Sequence, residues 1–167
     1  MANQSLAVKY RPNMWDAVIG QPTIVDILKT QAESGKFSRT ILLCGPAGCG
    51  KTTLARIFAK AINNGKGTPI EIDGASNNGV DNVRDIIDRA QQKALDAEYK
   101  CFIIDECHSL SNNAWQAFLK TIEEPPAKSV FLFCTTDPQK IPNTILSRVQ
   151  RFDIKRISFE DIVDRLK

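Results

Sequence analysis

An apolar run, Ile41-Leu42-Leu43, leads almost directly into Gly45-Pro46-Ala47-Gly48-Cys49-Gly50-Lys51-Thr52, and a helical pattern follows. No other stretch restricts the fold of this chain as much. It fits Gly, any four residues, Gly, Lys, then Ser or Thr, the pattern of a loop that cradles phosphates. Glycines let the backbone bend so that successive N–H groups point inward at phosphate oxygens. The start of the following helix adds unpaired N–H groups and the positive end of its dipole. Lys51 supplies a full charge for the β- and γ-phosphates, and the Thr52 hydroxyl suits Mg²⁺. The candidate phosphate cradle is therefore Gly45, Pro46, Ala47, Gly48, Cys49, Gly50, Lys51, Thr52 and Thr53.

Around this loop, strand and helix patterns alternate. Strands are expected at 40–43, 69–72, 101–104, 130–135 and 150–154, and four of them are short apolar runs that read as buried on both faces. Leu54, Ile57, Phe58 and Ala61 fall at helical spacing, as do Val83, Ile86, Ile87 and Ala90, and Trp115, Phe118, Leu119 and Ile122. These stripes read as core. A further helix is expected over 22–33, with Pro22 in its first turn. The alternation predicts an α/β fold, a three-layer α/β/α sandwich on a five-stranded parallel sheet. Ligands on such sheets bind beyond the carboxyl ends of the strands, where the phosphate loop lies.

Composition sets limits. A length of 167 residues suits one domain with a full core, and a net charge of +3 permits a nucleic-acid partner without arguing for one. No apolar run is long enough for a membrane span, and the N-terminus lacks a signal peptide's apolar stretch, so the expected location is cytoplasmic. Cys44, Cys49, Cys101, Cys107 and Cys134 form no C-x-x-C pair, and the only histidine is His108. That spacing argues against structural zinc, and the reducing cytosol against disulfides. Cys101 and Cys134 lie in strand patterns and read as small buried hydrophobes.

The second chemical cluster is Cys101-Phe102-Ile103-Ile104-Asp105-Glu106, an apolar strand ending in two carboxylates. After a phosphate loop, the first carboxylate holds Mg²⁺, often through water, and the second polarises an attacking water. Asp105 and Thr52 are thus the candidate metal residues, and Glu106 the general base beside Lys51. His108 is open to three readings: a link to nucleic acid, a link to the adjacent strand, or a packing residue. The strand ending in Thr135-Thr136-Asp137 offers a hydroxyl suited to sensing the γ-phosphate or to orienting the water, or to a simple cap or turn. Spacing alone gives Arg148 no role.

Taken together, these residues resemble the AAA+ ATPases and, within them, the clamp-loader tau/gamma family of DNA polymerase III. Lys9-Tyr10-Arg11-Pro12 and Val18-Ile19-Gly20-Gln21 match its N-terminal segments. Ile72 to Val80, Leu119-Lys120-Thr121-Ile122-Glu123-Glu124-Pro125-Pro126, Thr135 to Pro142 and Ile145-Leu146-Ser147-Arg148 complete a similarity that runs over nearly the whole chain. The resemblance implies a P-loop NTPase of AAA+ type that binds ATP and Mg²⁺. It places Arg11, Pro12, Val18 and Ile19 at the adenine and ribose, and Thr136 at the first sensor position. It makes Arg148 an arginine finger acting on ATP held by the next subunit of a ring. The implied partners are other clamp-loader subunits in a hetero-oligomeric ring, a sliding clamp, and primer–template DNA gripped through its phosphates. The helix starting near Val80 would face that DNA with its N–H groups.

The chain departs from the family in two places. Asn63-Asn64-Gly65-Lys66-Gly67-Thr68 stands where family members usually carry a four-cysteine zinc module, as in a shortened phage or plasmid version. Val149 follows Arg148 where the family has cysteine. Residues 1–157 are expected to form the nucleotide-binding domain, and 158–167, with Ser158 as a helix cap, the start of a helical lid. An ending so soon after a cap suggests a fragment with little turnover alone. Two other readings share this fold: a branch-migration or helicase-type AAA+ motor, and a nucleotide-gated scaffold that hydrolyses little.

Overall fold

Every residue of β1 (Thr40–Cys44) is buried, and the strand sits inside a five-stranded sheet of order β2-β3-β4-β1-β5. The computed structural model describes Trp15, residues 20–156, Val163 and Leu166. Its elements follow the chain as α1 (Pro22–Ser34), β1, α2 (Lys51–Ile62), β2 (Ile70–Asp73), α3 (Val80–Ala90), β3 (Lys100–Asp105), α4 (Asn112–Glu123), β4 (Ser129–Thr135), the single turn α5 (Asn143–Leu146) and β5 (Gln150–Asp153). Short 3₁₀ turns at Cys107–Ser109 and Pro138–Lys140 follow β3 and β4. All strand pairs are parallel. The expected sandwich is the observed one, and the strand bounds differ from expectation by one residue.

Alternation along the strands divides the core in two. Leu42, Phe102, Ile104, Phe131 and Phe133 face α3 and α4, where Val83, Ile86, Trp115, Phe118 and Ile122 meet them. Ile41, Leu43, Ile103, Val130 and Leu132 face α1 and α2, and pack on Leu28, Leu54, Phe58 and Ile62. Phe118 stands edge-on to Phe131 and Phe133, with ring centroids 5.9 and 5.6 Å away. Such pairs add about 0.5–1.5 kcal/mol to the gain from burial. The helical stripes expected from spacing are the buried faces, with Ala61, Ile87 and Leu119 at their margins.

One expectation needs correction. β1 and β4 are buried throughout and β3 is buried over Cys101–Ile104, but β2 alternates, with Glu71 and Asp73 exposed. β2 is an edge strand: Ile70 and Ile72 pack against the core on the α3–α4 side, while Glu71 faces the other way and pairs with Arg56 of α2. Among the described residues, no helix is long and apolar enough to cross a membrane. The expected lid cap at Ser158 lies outside the described residues.

Candidate nucleotide-binding and hydrolysis site

The carboxyl ends of the strands meet at one edge of the sheet, where Cys44 is level with Thr135 and Asp153, and Asp73 is level with Asp105. The phosphate loop leaves this edge from β1. Its first residue, Gly45, donates its N–H to the Thr135 carbonyl over 3.1 Å. A Cβ at Gly45 would lie 2.6 Å from the Ile154 carbonyl oxygen, so a side chain there would drive the loop off the exit of β5. Gly50 ends the loop at φ +95°, a conformation that favours glycine, and lets α2 begin at Lys51. No side chain caps α2, so the donors of its first turn are left for a ligand.

Lys51 is buried, and its Nζ donates to the carbonyls of Gly45 and Pro46, both at 2.9 Å. The ammonium is thus held inside the curve of the loop, 3.8 Å from Cys49 Sγ. The next residue, Thr52, donates its hydroxyl to Asp105 Oδ2 over 2.8 Å. That contact brings together the two candidate metal residues from α2 and β3. A hydroxyl and one carboxylate fit Mg²⁺, which takes one or two protein oxygens beside phosphates. Among the described residues, no cluster of three or more His, Cys, Asp or Glu offers a fuller metal cage.

Glu106 begins the turn after β3 with φ +50° and ψ +41°, left-handed backbone that is uncommon outside glycine. Gly74, at the end of β2, permits this turn. Its N–H donates to the Asp105 carbonyl over 2.7 Å, and a Cβ on it would lie 2.8 Å from the carbonyl oxygens of both Asp105 and Glu106. The Glu106 carboxylate borders an open cleft with Glu71, Asp73 and Asp105. The Arg56 guanidinium grips Glu71 at 2.5 and 2.9 Å and offsets part of this negative charge. That contact raises the Arg56 pKa further.

His108 turns back from the 3₁₀ turn into this group. Its Nδ1 is 2.9 Å from the Thr135 hydroxyl, and its Nε2 is 3.3 Å from Glu106 Oε2. Of the readings open for this residue, the link to the adjacent strand is the one built. Thr135 is fully buried, whereas Thr136, the expected sensor, is exposed at the end of β4. The sequence pattern offered a hydroxyl at this strand end without choosing between Thr135 and Thr136, and the resemblance gave the sensor role to Thr136. Sequence reasoning gave no role to Gln21, whose buried amide donates to the Lys155 carbonyl at 2.5 Å and accepts from the Lys155 N–H at 3.3 Å. This clip joins the start of α1 to the exit of β5. It borders a cleft lined by residues 20–24, Asp153 and Lys155. A lone glutamine before a proline carries no periodic signal that could have marked it. Arg11, Pro12, Val18 and Ile19 lie outside the described residues.

Arg148 is not brought to this site. The Thr40 hydroxyl donates to its carbonyl over 3.5 Å, at the amino end of β1. The phosphate loop starts at the other end of that strand, about 16 Å away at ~3.3 Å per residue, farther than an arginine side chain reaches. The guanidinium is exposed and donates to Glu123 Oε1 and to the Thr144 carbonyl, each at 2.6 Å. The amino end of α3, expected to face DNA, has its Gly79 N–H taken by Asn82 and an acidic residue, Asp81, in its first turn.

Burial pushes the Cys44 thiol up to about 11, against the opposing pull of Arg151. It also raises Cys134, where the nearby Asp105 adds to the effect. Both thiols therefore stay neutral beside the phosphate loop. All five cysteines are free and buried.

Comparison with known proteins agrees with this geometry. Two family models match, one described as DNA polymerase III, delta subunit, over residues 68–158, and one as the Rad17 P-loop domain, over residues 2–85. DNA polymerase III subunit tau of Bacillus subtilis is 44% identical over 187 aligned positions, covering 99% of this chain and 33% of that protein. The Escherichia coli subunit tau is 38% identical, covering 100% of this chain and 29% of that protein. This chain thus spans about a third of the length of these relatives. The alignments are longer than the chain, so the relatives hold residues that it lacks. A solved Thermotoga maritima protein related to the DNA polymerase III gamma subunit superposes with a TM-score of 0.65 at 26% identity, over 80% of this chain and 47% of that one. Thermotoga maritima RuvB superposes with a TM-score of 0.78 at 22% identity, over 95% of this chain and 54% of that one, a likeness of fold alone. With a phosphate loop, a two-carboxylate strand end and identity of this extent along the whole chain, the protein belongs to the tau/gamma family of DNA polymerase III, within the AAA+ P-loop proteins.

Proposed function

We propose that this chain is the ATP-binding and ATP-hydrolysing core of a sliding-clamp loader subunit, which opens a clamp and loads it on primed DNA in the cytoplasm. The observation that carries the reading is the separation of Arg148 from the chain's own phosphate loop. Lys51, Thr52, Asp105 and Glu106 converge at one edge of the sheet, while the remaining cation of the set is exposed near the opposite end of β1. An arginine so placed, paired here with Glu123, can act on a nucleotide only if a neighbouring subunit holds it, which is what a ring of subunits requires. Arginine fingers contribute roughly 10³–10⁵-fold to turnover.

In this reading the loop N–H groups and Lys51 bind the phosphates of ATP, and the phosphates take the ammonium from the carbonyls of Gly45 and Pro46. Arg11, Pro12, Val18 and Ile19 enclose the adenine and ribose. Thr52 and Asp105 hold Mg²⁺, which offsets phosphate charge when bound. Glu106 accepts the proton of the attacking water. Thr136 senses the γ-phosphate, and Arg148 completes the site of the adjacent subunit. Residues 1–157 form the nucleotide-binding domain and 158–167 begin the lid. Other clamp-loader subunits, the clamp and DNA phosphates are the partners. Turnover by the chain alone is close to nil, since no neighbour supplies an arginine.

The test is ATP turnover in the ring assembled with its partner subunits, measured alone, with primed DNA, and with primed DNA plus clamp, with Lys51→Ala as control. Stimulation by DNA and clamp together is expected. Turnover indifferent to the clamp would move the assignment to a branch-migration or helicase-type motor. Partner binding that survives both Lys51→Ala and Glu106→Gln would move it to a scaffold.

A further inference from the structure

We propose that His108 is a positioning residue for the general base, and that it ties the Glu106 carboxylate to the strand end that also anchors the phosphate loop. The inference rests on the reading of Glu106 as the base. Three contacts converge on Thr135. Its carbonyl accepts the Gly45 N–H at 3.1 Å, its hydroxyl oxygen accepts the Asp137 N–H at 3.0 Å, and the same hydroxyl meets His108 Nδ1 at 2.9 Å. His108 Nε2 then lies 3.3 Å from Glu106 Oε2.

The donors and acceptors order themselves along this chain. Thr135 Oγ1 already accepts from Asp137, so its own proton is free to be donated to Nδ1. That leaves the imidazole proton on Nε2, facing the carboxylate, which when ionised can only accept. The opposite tautomer would set a nitrogen lone pair against the carboxylate. His108 is therefore held as the Nε2–H form by two partners on different elements. The side chains are sheltered to different degrees: Thr135 is fully buried, His108 is 13% exposed and Glu106 is 45% exposed. The imidazole is thus the fixed wall and the carboxylate the movable part.

This arrangement explains why a base in left-handed, partly open backbone is nonetheless aimed. Without His108, the Glu106 side chain keeps its backbone position but loses its lateral support. Because Thr135 is bonded to Gly45, a shift of the phosphate loop around a nucleotide is transmitted through Thr135 and His108 to the carboxylate.

His108 is the only histidine of the chain, so its imidazole is a single spectroscopic reporter. The ¹⁵N spectrum of the imidazole is expected to show the Nε2–H tautomer, to lose that preference in Glu106→Ala and in Thr135→Val, and to shift when a non-hydrolysable ATP analogue with Mg²⁺ is added. A tautomer mixture like that of free imidazole, or a signal indifferent to Glu106→Ala, overturns the proposal. In the assembled ring, His108→Ala is expected to lower kcat about tenfold with KM changed less than about twofold. His108→Gln, which can place an N–H near the Nε2 position, recovers most of the loss, and His108→Asn, which reaches only Thr135, does not. Recovery by Asn instead of Gln, or an unchanged kcat in His108→Ala, also overturns it. Wild-type turnover no greater than that of Lys51→Ala would overturn the ATPase reading itself, and the positioning role with it, whereas the imidazole signal reports on the contact independently.

Discussion

The Thr52 hydroxyl lies 2.8 Å from Asp105 Oδ2, so the first turn of α2 and the tip of β3 are joined at the point where the proposed cation would sit. Neither residue is assigned to that cation by its own environment. Their proximity is what makes an oxygen pair of the kind Mg²⁺ accepts. Thr52→Val is therefore expected to abolish the Mg²⁺-dependent part of nucleotide affinity while leaving binding in EDTA nearly unchanged. Titration of a fluorescent ATP analogue with and without chelator measures this. The loss of fold stability should be small, about 1 kcal/mol for one partly exposed hydrogen bond.

Gly74→Ala tests the packing that supports Glu106, the proposed base. The added methyl would meet two backbone oxygens at 2.8 Å, and backbone cannot move aside as a flexible side chain can. A destabilisation of about 1–3 kcal/mol is expected in urea unfolding, typical of overpacking. Turnover should fall by more than nucleotide affinity, since the displaced groups are Asp105 and Glu106 and not the phosphate loop.

Arg148→Ala should leave stability within about 1 kcal/mol of wild type, because its ion pair with Glu123 is 38% and 42% exposed. Nucleotide affinity of the chain itself should also be unchanged. Turnover in the ring should fall roughly 10³-fold or more. Mixing Arg148→Ala with Lys51→Ala chains separates action on a neighbour from action within the chain. Recovery of part of the activity at mixed interfaces is expected, and its absence would argue against an arginine acting on the neighbour.

The buried thiols set an alkaline limit. Burial raises Cys44 from 9.0 to about 11 and Cys101 from 9.0 to about 12, so the fold favours the protonated form of each. The stability linked to these groups is fully present below pH 9 and is lost as pH rises through the folded-state values. Unfolding free energy should thus decline between pH 9 and 11 in a denaturant series. Substituting Cys101 by alanine should flatten part of that decline. At pH 8 the native chain should resist thiol reagents that label all five cysteines after unfolding.

Much of the fold was legible because its signals are local and periodic. The stripes Leu54-Ile57-Phe58 and Trp115-Phe118-Ile122 mark buried faces by their spacing alone, and the loop Gly45–Thr52 is marked by its own eight residues between an apolar run and a helix. Local pattern also placed Asp105-Glu106 at the end of a strand, where the structure has them. Pattern failed at β2, because whether an Ile-Glu-Ile alternation lies at an edge or inside depends on which strands flank it.

What the sequence determined by itself is the set of elements, the phosphate loop and the pair of carboxylates, since each is encoded within a few consecutive residues. What only the tertiary structure decided is which distant residues meet. Thr52 and Asp105 are 53 positions apart, His108 and Thr135 are 27 apart, and Gln21 and Lys155 are 134 apart. No periodicity links such pairs. They are brought together by the parallel crossovers, which gather every strand's carboxyl end at one edge and leave Arg148 near the amino end of β1. The division between the proposed nucleotide site and an arginine that it cannot reach is a property of strand order.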